Sequence, residues 1–167
     1  ESSKRPYFNG RDLEILELLG QHAAIAVKTY GRSAQFRERV RRLAEPKSPS
    51  LKGFLQDVLR DLRSDHGFDA GLIYLPDYVK KRLNCTAWIG LEGWVIDPEK
   101  FSYGFHENDL STKVFREMKP YFSLDPRTDP NVNARGLDVF GIERPLLGLP
   151  LVFRGDPVGV LVVWSRT

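Results

Sequence analysis

Apolar positions follow two rhythms along this chain. In the first part they recur in steps of three and four, and later mostly in steps of two. Leu16, Leu19, Ala23, Ala26 and Tyr30 lie on one helical stripe close to a coiled-coil seam. Leu13, Ile15, Leu18 and Ile25 widen that surface, so the helix has more to cover than a single partner helix. Asn9 is placed to cap it, with Asp12 three residues on and Phe8 and Leu13 as a hydrophobic staple. The seam weakens at Gly31. A second stripe, Phe36, Val40 and Leu43, continues to Glu45, where Pro46 and Pro49 stop the helix. Ser50 then caps an amphipathic helix carrying Leu51, Phe54, Leu55, Val58, Leu59 and Leu62, which ends at His66-Gly67.

The rest reads mainly as strands. Residues 70–75, 83–89, 101–105 and 121–124 are predicted strands, and 109–118 a short helix with Leu110, Val114 and Phe115 as its apolar face. Residues 125–141, rich in Pro, Asp, Asn and Gly, read as a loop with one weak helical turn. Two apolar runs, 146–153 and 158–164, form a closing hairpin around Arg154-Gly155-Asp156. Helices, strands, a helical and loopy insertion and a final hairpin describe an α+β fold around an antiparallel sheet.

Composition narrows the class. The chain has 167 residues, 41% hydrophobic and 28% charged, which suits a soluble globular domain and excludes wholesale disorder. No apolar run approaches the ~18 residues of a membrane span, and no signal peptide is visible. A soluble cytoplasmic protein is expected, with no membrane partner. Net charge is +3. Residues 32–42 hold five Arg and one Glu, a net of +4 that leaves −1 for everything else. That run (Arg32, Arg37, Arg39, Arg41, Arg42) comes with no helix-turn-helix and no RNA-binding motif, so it reads as a solvated helix and not as a nucleic-acid site.

The candidate chemistry is thin. HExxH, GxSxG, P-loop and GxGxxG patterns are absent, so no catalytic residue is assigned. His22, His66 and His106 lie on separate elements with no second ligand spaced for a metal, so none is expected. The one cysteine, Cys85, sits in a strand and reads as a small buried thiol. Asp125 and Asp129 stand beside prolines, where Asp usually satisfies local backbone N–H groups.

The run Val114-Phe115-Arg116-Glu117-Met118-Lys119-Pro120-Tyr121 gives a short helix, Lys-Pro and a strand. An Asp-rich loop follows from Asp125 to Pro130, then a Gly141-Ile142 turn, a strand containing Pro150, and Arg154-Gly155-Asp156 leading into Val158-Gly159-Val160-Leu161. This ordered succession resembles the GAF domain family over residues 51–164. The segment from Tyr7 to Val27, with Gln21-His22-Ala23-Ala24-Ile25-Ala26, resembles that family's closing helix, which normally follows the last strand. The expected organisation is therefore a long helix over residues 1–45, the closing helix of an upstream GAF domain plus a linker. A GAF domain without its own closing helix then occupies 46–167. The alternative makes residues 9–45 this domain's own long first helix.

The resemblance implies a GAF-like antiparallel sheet with helices on one face and a helix-and-loop insertion on the other. It implies a non-catalytic sensory or regulatory module of a bacterial-type signalling protein. Such a module is expected to form a homodimer through Leu16, Leu19, Ala23, Ala26 and Tyr30 and to act on an output domain of the full-length protein. The family's ligand pocket lies under the insertion, which implies Trp88, Tyr103, Phe115, Phe122 and Phe140 as lining for an unidentified small molecule. The alternative is a ligand-free dimerisation scaffold. No cofactor is expected. Some GAF relatives reduce methionine sulfoxide with several cysteines, and a single cysteine lacks the pair. Asn84-Cys85-Thr86 departs from bilin-attachment patterns, and residues 131–140 depart from the cyclic-nucleotide pattern. If the closing helix is missing, residues 13–30 are expected to cover the exposed sheet face, from this chain or a dimer mate.

Overall fold

The computed structural model describes residues 51–91 and 101–165. The seam Leu16, Leu19, Ala23, Ala26 and Tyr30, the arginine run and the Ser50 cap lie outside the described residues.

Helix α1, Leu51–His66, forms where the 3.6-residue period predicts it. Leu55, Leu59 and Leu62 are fully buried on its inner face. Gly67, with φ of 68°, closes it in the left-handed region, and its N–H donates to the Arg63 carbonyl at 3.0 Å. Arg63 and His66 in the last turn suit the negative end of the helix dipole.

Six strands follow: β1 Ala70–Asp77, β2 Arg82–Ile89, β3 Ser102–Gly104, β4 Tyr121–Ser123, β5 Leu146–Phe153 and β6 Asp156–Trp164. They make one antiparallel sheet in the order β3-β2-β1-β6-β5-β4. The closing hairpin is tighter than the sequence reading had it. Arg154 and Gly155, at φ of 52° and 85°, form a two-residue turn, and Asp156 already pairs with Phe153. Positive φ at both central positions matches the twist of the flanking strands. Pro150 lies beyond the reach of β4, which pairs only with residues 146–148, so it occupies an edge stretch of β5 where proline is tolerated.

Each sheet face carries its own core. On one face Ile73, Leu149, Leu151, Leu161 and Val163 pack with Leu55, Leu59 and Leu62 of α1. On the other, Leu72, Tyr74, Leu83, Cys85, Val160 and Trp164 pack under the insertion. Strict alternation along β2 would put residues 83, 85 and 87 on one face. A bulge at Thr86 breaks it: Tyr74 is opposite Cys85 and Ile73 opposite Ala87, so Ala87 turns to the α1 side.

The insertion holds two helices. Helix α2, Leu110–Glu117, is capped by Asp109 and ends at Met118 in the left-handed conformation, φ 52°. It sits directly on β5, where a Cβ on Gly148 would fall 2.5 Å from Leu110 Cδ2 and 2.9 Å from Val114 Cγ2. Helix α3, Ala134–Phe140, replaces the expected weak turn with a seven-residue helix. Its Asn133 cap accepts from the Arg135 N–H at 2.9 Å, and Gly141 ends it at φ 57°. Leu137 and Phe140, one turn apart, are its buried face. Those caps, with seven residues between them, were the signal available in the sequence.

Candidate ligand-binding site

Between the sheet and α2 and α3 lies a cavity of about 30 Å³. Strands β1 and β3 bring Tyr74 and Tyr103 to it, the start of α2 brings Asp109 and Ser111, and Asn133, Gly136 and Phe140 come from α3 and its cap. Leu72, Leu146 and Val162 give it an apolar floor. The walls are tight: a Cβ on Gly136 would lie 2.8 Å from Tyr103 Oη.

Asp109 is the one carboxylate among the described lining residues and is only 7% exposed. Its Oδ1 accepts from the Ser111 N–H at 2.8 Å and from the Ser111 hydroxyl, and its Oδ2 from the Asn133 N–H at 3.4 Å. It therefore caps α2 and ties the α3 cap to it. Burial pushes its carboxyl above the ordinary value, and the bonds from Ser111, Asn133 and Leu110 only partly oppose this. Tyr74 and Tyr103 are each 2% exposed, with ring centroids 5.9 Å apart. Burial pushes both phenols well up, with Asp109 adding to the shift, so both stay protonated at neutral pH. The Arg135 guanidinium stands 5.5 Å over the Tyr103 ring.

The loop leading to α3 is fastened from β4. Tyr121 Oη donates to Asp129 at 3.0 Å, Asn131 Nδ2 donates to Tyr121 Oη at 2.8 Å, and the Asn131 N–H donates to Asp129 Oδ1 at 2.8 Å. Partial burial raises the Asp129 carboxyl, but the neighbouring Ser123 hydroxyl and the bonds from Asn131 and Tyr121 outweigh it and the net shift is downward. Asp125 likewise accepts from the Arg127 N–H at 3.3 Å.

Of the five aromatic residues expected at a pocket, Tyr103 and Phe140 line the cavity. Phe115 is buried in the same core but stacks on Phe105, with centroids 5.2 Å apart. Trp88 is half-buried on β2, with the Lys52 ammonium 4.6 Å from its ring. Phe122 stands opposite Leu147, a residue of the α1-side core, and is 43% exposed, so β4 turns it away from the cavity. Tyr74, Asp109, Ser111 and Asn133 were not read as site residues. Tyr74 is hidden in an apolar strand, and the polar residues resemble ordinary helix caps.

Cys85 is buried, and burial pushes its thiol up to about 12, which keeps it from acting as a thiolate nucleophile. Among the described residues no group of three or more His, Cys, Asp or Glu could hold a metal ion. No described helix is long and apolar enough to cross a membrane.

Several solved structures share this fold. The GAF domain of an Acinetobacter phosphoenolpyruvate-protein phosphotransferase superposes with a TM-score of 0.58 at 19% identity, covering 96% of this chain and 80% of that one. The A. aeolicus nlh2 GAF domain in an inactive state gives 0.61 at 13%, covering 93% and 82%. A type II free methionine-R-sulfoxide reductase from Thermoplasma acidophilum gives 0.55 at 16%, covering 70% and 77%. At these identities the likeness is one of fold. No curated protein sequence matches the chain. The family model of the GAF domain, however, matches residues 48–167, through the sheet, both insertion helices and the cavity between them, and the chain belongs to that family.

Proposed function

We propose that this GAF domain is a non-catalytic sensory module that receives a small molecule in the cavity beneath α2 and α3. The observation that carries the reading is chemical. An otherwise apolar core gathers a carboxylate, two phenol hydroxyls and a serine around one cavity. A core built only for packing has no use for them. Ligand entry would shift α3 and its cap, and the shift would cross the sheet to the helices of the other face. From there a dimeric stalk, paired through Leu16, Leu19, Ala23, Ala26 and Tyr30, would carry it to an output domain of a cytoplasmic signalling protein.

A screen of small fragments by thermal shift tests the reading. A binder raises the melting temperature of the wild type but not of Gly136→Ala, whose methyl group intrudes on the cavity. Sedimentation of Leu19→Asp tests the stalk: the dimer should give way to monomer. The scaffold reading draws on the cavity's size, room for about one water. It would prevail if no fragment bound while the dimer stayed intact.

A further inference from the structure

We propose that the cavity recognises the ammonium head of a small primary amine, held by Asp109 with the hydroxyls of Tyr74 and Tyr103; this rests on reading the cavity as the ligand site. The argument begins with unused hydrogen-bonding capacity. Asp109 Oδ1 is occupied by Ser111, whereas the Asn133 N–H reaches Oδ2 only at a long 3.4 Å and the Leu110 N–H adds a further weak contact. A carboxylate oxygen accepts two bonds. The Tyr74 and Tyr103 side chains are 98% buried, and their hydroxyls make no hydrogen bond to another described residue where they border the cavity, although phenols in such surroundings usually have one. Three oxygens with spare lone pairs thus border one small cavity. An alkylammonium offers three N–H donors and no acceptor.

Charge and size point the same way. No Lys, Arg or His lines the cavity among the described residues, so the Asp109 carboxylate has no countercharge on its walls. An anion would be repelled there, and a neutral ligand would leave the carboxylate uncompensated. A cation neutralises it, and the bordering rings of Tyr103 and Phe140 add cation–π attraction. The raised carboxyl of Asp109 agrees with a buried charge that lacks its partner. About 30 Å³ admits a head group of water size, so the rest of the molecule must be short.

The test is thermal unfolding of the full chain at pH 7 and constant ionic strength. The probes are methylammonium, tetramethylammonium, acetate and acetamide. Methylammonium should raise Tm by about 3–5 °C at ten times its dissociation constant, and tetramethylammonium, with no N–H donor, should not. Asp109→Asn keeps a good helix cap, so it should fold and lose the response. Tyr74→Phe/Tyr103→Phe keeps both rings and should weaken methylammonium at least tenfold. A response to acetate or acetamide with none to methylammonium overturns the amine assignment and leaves the cavity a ligand site. So does a methylammonium response that survives in Asp109→Asn. If none of the four probes acts, the amine assignment also fails, and the fragment screen then decides whether the cavity binds anything.

Discussion

The two faces of the sheet are built from the same strands and put to different uses. On the α1 face one helix lays Leu55, Leu59 and Leu62 against Ile73, Leu161 and Val163 in an apolar cluster. None of the buried polar residues, Ser102, Asp109, Ser111, Thr112 and Ser123, belongs to α1 or to the strands β1, β2, β5 and β6 it covers. On the other face two short helices, each held by a polar cap, enclose aromatic rings, a buried carboxylate and a cavity. Burial of apolar area holds the first face together, and its strength grows with that area. The second face gives up some of this stabilisation to keep polar groups out of water. A core with no polar atoms has nothing to recognise a ligand with. The comparison therefore separates stability from responsiveness within a single domain.

Mutations can sharpen or break that division. The largest effect should come from Leu59→Ala on the α1 face, because Leu59 is fully buried. A loss of about 2–5 kcal/mol is expected in denaturant unfolding. Any ligand response that remains should keep its affinity. Next is Gly148→Ala, where the new methyl group meets α2 below contact distance. Overpacking should cost about 1–3 kcal/mol. If Gly148→Ala were neutral, α2 would be free to lift from β5 and the cavity face would be softer than described.

A smaller effect is expected from Asp109→Ala, which removes the α2 cap and the tie to Asn133, at about 1 kcal/mol. The pH dependence of this site has a definite sign. The folded-state carboxyl of Asp109 is raised, so its contribution is fully present below the unfolded carboxylate range, ~3.9. It is lost as pH rises through the folded value. Asp109→Asn should flatten that part of the pH–stability curve. Asp129, whose carboxyl is lowered, runs the other way: its contribution is present above the unfolded value and is lost as pH falls through the folded one. Asp129→Asn should therefore lose stability at neutral pH and little in acid. Smallest of all is Tyr74→Phe. With no described partner for its hydroxyl, the change should be neutral or slightly stabilising without ligand. A loss above about 1.5 kcal/mol would mean that the hydroxyl already has a structural partner, and the contrast between the faces would weaken.

Much of the architecture was legible from the sequence because the apolar periods were strong. The α1 stripe, the β5–β6 hairpin and α2 lie where the pattern put them. Helix α3 was not legible from its period, since Leu137 and Phe140 are the only large side chains on its buried face and two residues do not establish one; only its caps marked it. The cavity was half legible. Tyr103 and Phe140 were expected on grounds of aromatic density, but that criterion also selected Phe122, because density does not say which way a strand residue points. Tyr74 and Asp109 were missed because their importance comes from convergence of separate elements. A strand residue and a helix cap acquire that role only when folding brings them to one cavity.

The bulge in β2 has a consequence for tracing ancestry. Thr86 has no partner in β1, and the parity of the strand inverts across it. Residues before it face the cavity on odd numbers, as Leu83 and Cys85 do, while beyond it Ala87 and Ile89 face α1. A relative that lacked this one residue would alternate regularly along the strand and keep its Cys, Ala, Trp and Ile equivalents on the faces they occupy here. Aligning such relatives by hydrophobic alternation alone would misassign the far half of β2. The bulge thus absorbs an indel at position 86, and Ala87, Trp88 and Ile89 keep their cores whether or not the extra residue is there.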